Sequence, residues 1–370
     1  MTRPLHLFVA LTLSAHAQTD PEDLLKRAIA LHQAGDIPAA IQSYQQYLAL
    51  RPENPMALSN LGAAYARLAR YPEAIVQYRH ALKLQPGNAP VELNLALAFY
   101  KTGQTELAAA TLEKVHRAAP TELQPIKLLA ECWLAMGENK KVVALLTPVA
   151  EQRPADLALA YQLGMALVRD QQPERGQILI DRILRNGDSA ETWLLLGVTK
   201  LTARDYPAAL ADLAKAVALN PNLPEVQSYY GQALLRTGDP ESAASAFRKA
   251  LDANPYDYTA NLQFAVLLKE DEKFPDAVTC LRRALQVRPN DLGARYQLAA
   301  IAFHEEKLDV ARRDLETIVK EAPSFTEAHV TLATIYYRLN RKPDGDRERA
   351  TVQKLNAEAQ AKQQQGLNVK

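Results

Sequence analysis

A proline recurs every 34 residues along most of this chain. The first run is Pro52, Pro86, Pro120 and Pro154, and the second is Pro221, Pro255, Pro289 and Pro323. The step from Pro154 to Pro221 is 67 residues, one short of two intervals. A fixed interval of this length indicates a repeat architecture, in which each copy buries its apolar face only against its neighbours. We therefore expect an array, although 370 residues would otherwise suggest two or three globular domains.

Aligned copies of the repeat share small residues at fixed positions. The copies begin at Pro21, Pro55, Ala89, Leu123, Leu157, Ala190, Pro224, Tyr258, Leu292 and Thr326. Position eight is Gly or Ala in all ten, and position twenty is nearly as small. Larger apolar residues such as Leu61, Tyr65 and Tyr78 follow at helical spacing. Each copy is predicted to be two helices, A and B, which cross closely at positions eight and twenty.

Helix boundary residues support this prediction. Helix B often starts with a proline, at Pro38, Pro72, Pro207 and Pro275, where the missing N–H has no cost. Glycines are expected to end helix A at Gly35, Gly103, Gly137 and Gly238. Side chains that can cap the next helix A precede it at Asn54, Asn88, Asp156, Ser189, Asp257 and Asp291.

The repeat resembles the tetratricopeptide repeat family. The residues that match the family pattern in the second copy are Leu61, Gly62, Tyr65, Ala74, Tyr78 and Pro86. The resemblance implies an all-α, right-handed superhelical solenoid of about ten helix-turn-helix repeats, at residues 21–359, with a polar tail at 360–370. It also implies a non-catalytic protein–protein interaction scaffold that binds extended protein segments in a concave groove.

The first 17 residues have the pattern of a cleavable secretory signal peptide. Arg3 precedes an apolar stretch from Leu5 to Ala15, and Ala15 and Ala17 form an A-x-A site before Gln18. The stretch is too short to span a bilayer, which needs about 20 residues. We expect an exported, periplasmic or secreted protein; the alternative is a cytoplasmic protein with a weak amphipathic leader.

Charge and chemistry-bearing residues favour neither nucleic-acid binding nor catalysis. The 43 basic and 42 acidic residues nearly cancel, so no long-range field attracts nucleic acid. No histidine has metal-ligand spacing, and helix-surface positions are expected for His32, His80, His116, His304 and His329. Cys132 and Cys280 lie four repeats apart and are expected to be unpaired core residues. We predict no catalytic residue, no metal site and no cofactor.

Position six of helix A should face the groove and contact a partner. An amide there can both donate to and accept from a peptide backbone. Asn60 and Asn94 resemble the asparagine ladder of the tetratricopeptide portion of O-linked N-acetylglucosamine transferases. The groove candidates are Asn60, Asn94, Gln162, Gln263, Gln297, Tyr161, Tyr229 and Tyr296. The alternative is that they are solvated surface, and the residue pattern of the chaperone-binding carboxylate clamp is absent.

Two further points remain open at the level of sequence. The scaffold is expected to serve cell-envelope assembly, and the alternative is a carbohydrate-handling accessory protein in polysaccharide export or glycosylation. The repeat is one residue short between Ile183 and Trp193. That irregularity is either a tolerated loop deletion or a hinge between repeats one to five and six to ten.

Overall fold

The computed structural model describes residues 20–185 and 187–367. Twenty α-helices and no strand are present in those ranges. The first five helix pairs are α1 (Pro21–Ala34) and α2 (Ile37–Leu50), α3 (Pro55–Arg67) and α4 (Tyr71–Leu84), α5 (Ala89–Lys101) and α6 (Thr105–Ala118), α7 (Leu123–Met136) and α8 (Asn139–Gln152), and α9 (Leu157–Arg169) and α10 (Pro173–Leu184). The other five are α11 (Ala190–Thr202) and α12 (Tyr206–Leu219), α13 (Val226–Thr237) and α14 (Pro240–Ala253), α15 (Tyr258–Glu270) and α16 (Phe274–Val287), α17 (Leu292–His304) and α18 (Leu308–Glu321), and α19 (Thr326–Arg338) and α20 (Lys342–Leu367). The all-α prediction with about ten helix pairs is confirmed, and the predicted leader at residues 1–17 lies outside the described ranges.

Helix A begins at the predicted first residue in nine of the ten repeats. The exception is the seventh, where α13 begins at Val226 and not at Pro224. Leu223 stands where most other repeats carry a capping side chain, and it cannot accept a hydrogen bond from the first turn. Phe325 also lacks a capping group, although α19 still begins at Thr326. Glu225 instead adopts a left-handed backbone with φ +63°. A sequence departure therefore coincides with a local change in backbone path.

The predicted helix caps are present. The capping side chains before helix A accept hydrogen bonds from first-turn amides at Asn54, Asn88, Asp156, Ser189, Asp257 and Asp291. Position fifteen, after helix A, has a positive φ in every repeat: Gly35, Ala69, Gly103, Gly137, Gln171, Arg204, Gly238, Glu272, Glu306 and Asn340. This position is therefore left-handed because of the repeat fold, whatever the residue. Among the described non-glycine residues with positive φ, Glu225 stands apart because it is not at position fifteen.

Small residues at position eight make room for the large side chain at position twenty-four. A Cβ on Gly231 would lie 2.7 Å from Cε1 of Phe247, and one on Gly62 would lie 2.7 Å from Cε1 of Tyr78. Position twenty faces a different neighbour: a Cβ on Gly176 would lie 2.9 Å from Cγ2 of Val168, at position twelve. The close packing was predicted, but positions eight and twenty meet positions twenty-four and twelve rather than only each other.

Buried cysteines and one histidine test the sequence assignments. Cys132 and Cys280 are free and buried, as expected. The helix-surface assignment of His329 is wrong, because this residue is only 6% exposed. Its Nε2 is 3.0 Å from the carbonyl oxygen of Pro323, and its Nδ1 contacts the carboxylate of Glu348. Helix α20 packs on α19 and brings Glu348 to this imidazole.

The described chain forms two compact units, the first ending at Ala98 and the second beginning at Phe99. In the second unit each helix packs on the next, and the A helices of adjacent repeats also touch from α7 onward. One core cluster extends from Ile126 to Ala233 across the irregular loop between Ile183 and Trp193. Ser189 caps α11 within that loop. The continuous core favours the tolerated deletion, while the hinge remains a prediction.

Candidate functional site

The second unit contains a cavity of about 630 Å³, called here the central cavity. It is surrounded by the A helices of the third to eighth repeats. One lining side chain from or next to each of these helices is Tyr100, Glu131, Tyr161, Glu191, Gln227 and Tyr258. The floor includes apolar residues such as Leu134 and Ile183. Its size is within the range of pockets that bind small ligands, about 300–1,000 Å³.

Glu225, whose left-handed backbone departs from the repeat pattern, lines the central cavity. Its carboxylate lies 2.7 Å from Nη2 of Arg169, and the Arg169 side chain is only 12% exposed. The guanidinium also lies 5.4 Å from the centre of the Tyr229 ring. The Glu225 side chain is 32% exposed, so Arg169 is the buried member of the pair, and a buried charge needs a compensating partner. The Arg169–Glu225 ion pair thus joins repeat five to repeat seven and is not a contact within either repeat.

Asp257 is a buried carboxyl group beside this pair. One oxygen accepts the backbone N–H of Ala260 at 2.8 Å, and the other accepts the hydroxyl of Ser228 at 2.6 Å. Burial, and then the charge of Glu225, raise the pKa of Asp257 to about 6. Asp257 therefore changes charge under mildly acidic conditions.

Glu131 and Tyr100 also line the central cavity. The Tyr100 hydroxyl donates to the Glu131 carboxylate, and burial raises the pKa of both groups. The charge of Glu225 also contributes to raising the pKa of Glu131. The charge of Glu225 thus raises the pKa of a carboxyl group in its own repeat, Asp257, and of one in repeat four, Glu131.

Two arginines converge on the C-terminal end of α7. Arg169 donates to the carbonyl of Leu134 at 3.3 Å, and Arg288 donates to that of Ala135 at 2.8 Å. Last-turn carbonyls carry the partial negative charge of the helix dipole, which favours cations there. Arg288 also covers the Tyr258 ring, with 3.5 Å between Cζ and the ring centre. Repeats four, five and eight meet at this point.

A second cavity of about 380 Å³ adjoins these arginines. Its wall includes both Arg169 and Arg288, together with the predicted groove residues Tyr229 and Gln263. The lining also includes the polar side chains of Asn139, Gln232 and Thr259 and the apolar ones of Val198, Leu201 and Leu262. This cavity therefore offers hydrogen-bond donors and acceptors together with apolar contacts.

The predicted groove residues separate into three groups. Tyr161 and Gln162 line the central cavity, and Gln162 also donates to the carbonyl of Lys127 at 3.2 Å. Tyr229 and Gln263 line the second cavity. Asn60, in the first unit, is half-buried and hydrogen-bonds Tyr44.

The remaining candidates lie outside both cavities. Asn94 is exposed in the first unit. Gln297 accepts a hydrogen bond from Nζ of Lys269 at 2.7 Å. Tyr296 places its hydroxyl 3.2 Å from that of Thr331 and its ring edge against Phe325. Gln297 and Tyr296 therefore have local partners that a ligand would need to replace or share.

Sequence reasoning missed the charged residues of the cavity wall: Arg169, Glu131, Glu225, Asp257 and Arg288. Asp257 was identified only as a helix cap. Leu223 was the available indication, because it interrupts the capping pattern two residues before Glu225. The contacts themselves join residues as far as 153 positions apart and leave no periodic trace.

Metal or membrane chemistry finds no support in the described residues. Within them, no group of three or more His, Cys, Asp and Glu side chains is placed to hold a metal ion. Nor does any helix of the described ranges combine the length and the apolar character that crossing a membrane requires.

Comparison with known families identifies the repeat. Profiles described as tetratricopeptide repeat match residues 161–224, 194–258, 69–132 and 234–302, and one described as TPR repeat matches residues 29–68. Together they cover more than half of the chain. The chain belongs to the tetratricopeptide repeat family. Tetratricopeptide arrays are generally non-catalytic, and the repeats indicate a protein–protein interaction scaffold. None of the curated proteins compared with the chain matches it.

Solved structures align with this chain at low sequence identity. The structure described as the APC/C hetero-tetramer Cut9-Hcn1 aligns with a TM-score of 0.56 and 15% identity, over 92% of this chain and 81% of that one. IFIT1, as a monomeric mutant with Gppp-AAAA, aligns at 0.49 and 14%, over 91% and 90%. MamA aligns at 0.42 and 18%, over 45% and 90%. At 15% identity, the similarity to Cut9-Hcn1 concerns the fold alone.

Proposed function

We propose that this tetratricopeptide protein is a non-catalytic scaffold that binds a segment of a partner protein on the concave surface of its second unit. The observation that carries the proposal is the central cavity, where side chains from six repeats converge. Repeat seven supplies the largest share of the wall, including Glu225 and Asp257, and five other repeats supply the rest. A ligand there would be recognised by the assembled array, which is the usual way that stacked repeats create a binding surface.

The size of the central cavity favours a short segment. A volume of about 630 Å³ suits a chain end or loop tip better than a long extended peptide. The proposed ligand is therefore shorter than the extended protein segment that the position-six amides led us to expect. The amides of the first unit, Asn60 and Asn94, remain candidates for a second contact with the same partner.

Binding energy must come from both polar and apolar contacts. Each hydrogen bond to Gln162 or Tyr161 contributes about 0.5–1.5 kcal/mol net. Micromolar affinity requires about 8 kcal/mol. Burial of apolar partner atoms against Leu134 and Ile183 has to supply much of the remainder, at about 25 cal/mol per Å².

Photo-cross-linking of the full chain in its native cells tests the proposal. We expect a benzoyl-phenylalanine in place of Tyr161 to capture a discrete protein partner, identified by mass spectrometry. The matched control places the same group at Ile178, which is 63% exposed on a B helix of the same repeat. Equal capture at both positions, or none at 161, would contradict binding in the central cavity.

The proposed compartment is the cell envelope, with a role in its assembly. This rests on the leader pattern ending at Ala17. N-terminal sequencing of the protein purified from its native cells is expected to begin at Gln18. A cytoplasmic protein that still carries residues 1–17 would support the alternative, a cytoplasmic location.

A carbohydrate ligand is the second candidate. Tyr100 and Tyr161 line the central cavity beside its carboxylates, and tyrosines with carboxylates can stack on and hydrogen-bond a sugar. An oligosaccharide array probed with the wild-type chain and with Tyr161→Ala distinguishes the candidates. Sugar binding that disappears in the variant, without a captured protein, would favour this function.

A further inference from the structure

Two distant parts of the second unit meet along a contact called here the seam. The seam comprises Gly103 against Tyr256, and Ala135 against Arg288. Arg288 donates Nε–H to the Ala135 carbonyl at 2.8 Å, across 153 positions of sequence. Helices α6 and α16 also touch there. Repeats three and four therefore contact repeats seven and eight, and the array between them curves round the central cavity.

The Gly103 contact leaves no room for a side chain. A Cβ at this position would lie 2.3 Å from Cδ1 of Tyr256, closer than real Cβ atoms approach any heavy atom. Gly238 has the same repeat position and a similar backbone, with φ +92° against +73°. A Cβ on Gly238 would meet nothing within 4 Å. The tightness at Gly103 is thus a property of the seam and not of the repeat.

The other half of the seam is electrostatic and reversible. Across the seam, Arg288 is held by one helix-end carbonyl, while the Tyr258 ring that it covers belongs to its own repeat. A single charge-assisted hydrogen bond is modest in strength. Breaking it would leave the helix pairs on either side intact, because adjacent helices keep their own packing. The seam can therefore open without unfolding of a repeat.

Opening the seam would divide the binding wall. Tyr100 and Glu131 lie on the side of Gly103, whereas Glu225 and Asp257 lie on the side of Tyr256. We propose that the second unit is a clamp which opens and closes at this seam, and that the central cavity is complete only in the closed form. A ligand that contacts both walls binds the closed form better and shifts the population toward it. Only this coupling to a ligand rests on the proposed function.

Hydrogen exchange on Gly103→Ala and Gly238→Ala tests the clamp without a ligand. Both variants place alanine at a left-handed position that Ala69 shows to be compatible with the repeat. In Gly103→Ala we expect exchange of the amides at 134–138, 254 and 256–258 to rise by about tenfold, equivalent to about 1.4 kcal/mol. Gly238→Ala should leave them unchanged. Equal exchange in the two variants would overturn the clamp.

A reversible disulfide provides the opposite perturbation. Cγ of Tyr256 lies 2.8 Å from the place of a Cβ on Gly103, so its Cβ, one bond further, is within disulfide reach. In the double variant Gly103→Cys/Tyr256→Cys, oxidation should slow exchange at 134–138 relative to the reduced form of the same protein. Identical exchange in the two forms would show that the seam does not open.

The same double variant separates the two proposals. Carrying the photo-reactive group at 161, it should capture the partner to a different extent when oxidised and reduced. No capture in either form, together with oxidation-dependent exchange, would remove the proposed function and leave the clamp. Equal capture with oxidation-dependent exchange would show that the clamp is not coupled to the ligand and would overturn that part.

Discussion

Arg67 in the first unit and Arg169 in the second occupy position thirteen of their repeats. Each donates Nη1–H to the position-twelve carbonyl of the preceding repeat, Arg67 to His32 at 3.1 Å and Arg169 to Leu134 at 3.3 Å. Arg67 is exposed, whereas the Arg169 side chain is 12% exposed and bonded to Glu225. The repeat gives both arginines one contact, and only the long-range fold gives Arg169 the other.

The N-cap aspartates show the same contrast. Asp156 and Asp257 both accept a first-turn amide of their helix A. Burial would raise the pKa of Asp156, but hydrogen bonds from Lys127 and from Leu159 N–H outweigh it and lower that pKa. Asp257 has no lysine beside its carboxyl, and burial with Glu225 raises its pKa. Equivalent repeat positions thus acquire opposite electrostatics from their surroundings.

The largest effect is expected when the buried arginine is removed. Arg169→Met leaves Glu225 and Asp257 without their nearby cation, so the free energy of unfolding should fall by about 2–4 kcal/mol. Arg67→Met, its exposed counterpart, should cost no more than about 0.5 kcal/mol. Urea unfolding at pH 7 measures both.

The double variant Arg169→Met/Glu225→Gln sharpens that result. It should recover part of the loss, because the remaining carboxylate charge is removed with the arginine. Equal losses in Arg67→Met and Arg169→Met would show that the ion pair adds nothing to the repeat contact.

A substitution in the repeated interior should have the next largest effect. Gly231→Ala forces a Cβ against Phe247, and overpacking of this kind costs up to about 3 kcal/mol. Repeat four carries Ala130 and Leu146 at these positions. The loss of stability in Gly231→Ala/Phe247→Leu should therefore be smaller than the sum of the losses in the two single variants. Thermal and urea unfolding of both singles and the double give the coupling; strict additivity would contradict direct contact.

The two aspartates should respond oppositely to pH. An unfolded Asp has a pKa near 3.9, so folded Asp257 retains a proton up to about pH 6. The stability from its neutral form is present below about pH 4 and lost as pH rises through 6. The free energy of unfolding of Asp257→Asn, taken relative to that of wild type, should therefore rise by about 2 kcal/mol between pH 4 and pH 7.

Asp156→Asn is the matched control for this titration. Because the pKa of Asp156 is lowered, its carboxylate stabilises the fold above its unfolded pKa and stops doing so as pH falls through the folded one. The variant should be less stable than wild type at pH 7, and the difference should shrink toward pH 3. Parallel pH profiles for both variants would contradict the opposite environments.

The smallest effect on stability is expected for the groove amides of the first unit. Asn94 is exposed, so Asn94→Ala should change the free energy of unfolding by less than about 0.5 kcal/mol. Recovery of the partner by the full chain should nevertheless fall in Asn60→Ala/Asn94→Ala. Val76→Ala, at a 60% exposed site of the same unit, is the control. Unchanged recovery would remove the predicted amide contacts.

The sequence alone determined the repeated part of this protein. The 34-residue interval, the small residue at position eight and the caps such as Asn54 each reflect contacts within a repeat or with the next one. Such contacts recur, so they leave a period that can be read without a structure. Helix A could be located to the residue in nine repeats, and the exception at Val226 followed a visible loss of the capping residue.

Only the tertiary structure decided where the charged cavity lies. Arg169 with Glu225, and Arg288 with Ala135, join repeats that are not neighbours, and a contact made once has no period. Tyr161 and Gln162 were predicted to face the groove, but their carboxylate neighbours were not. The curvature of the second unit sets which non-adjacent repeats meet, and it accumulates from small rotations at every interface that no single position in the sequence encodes.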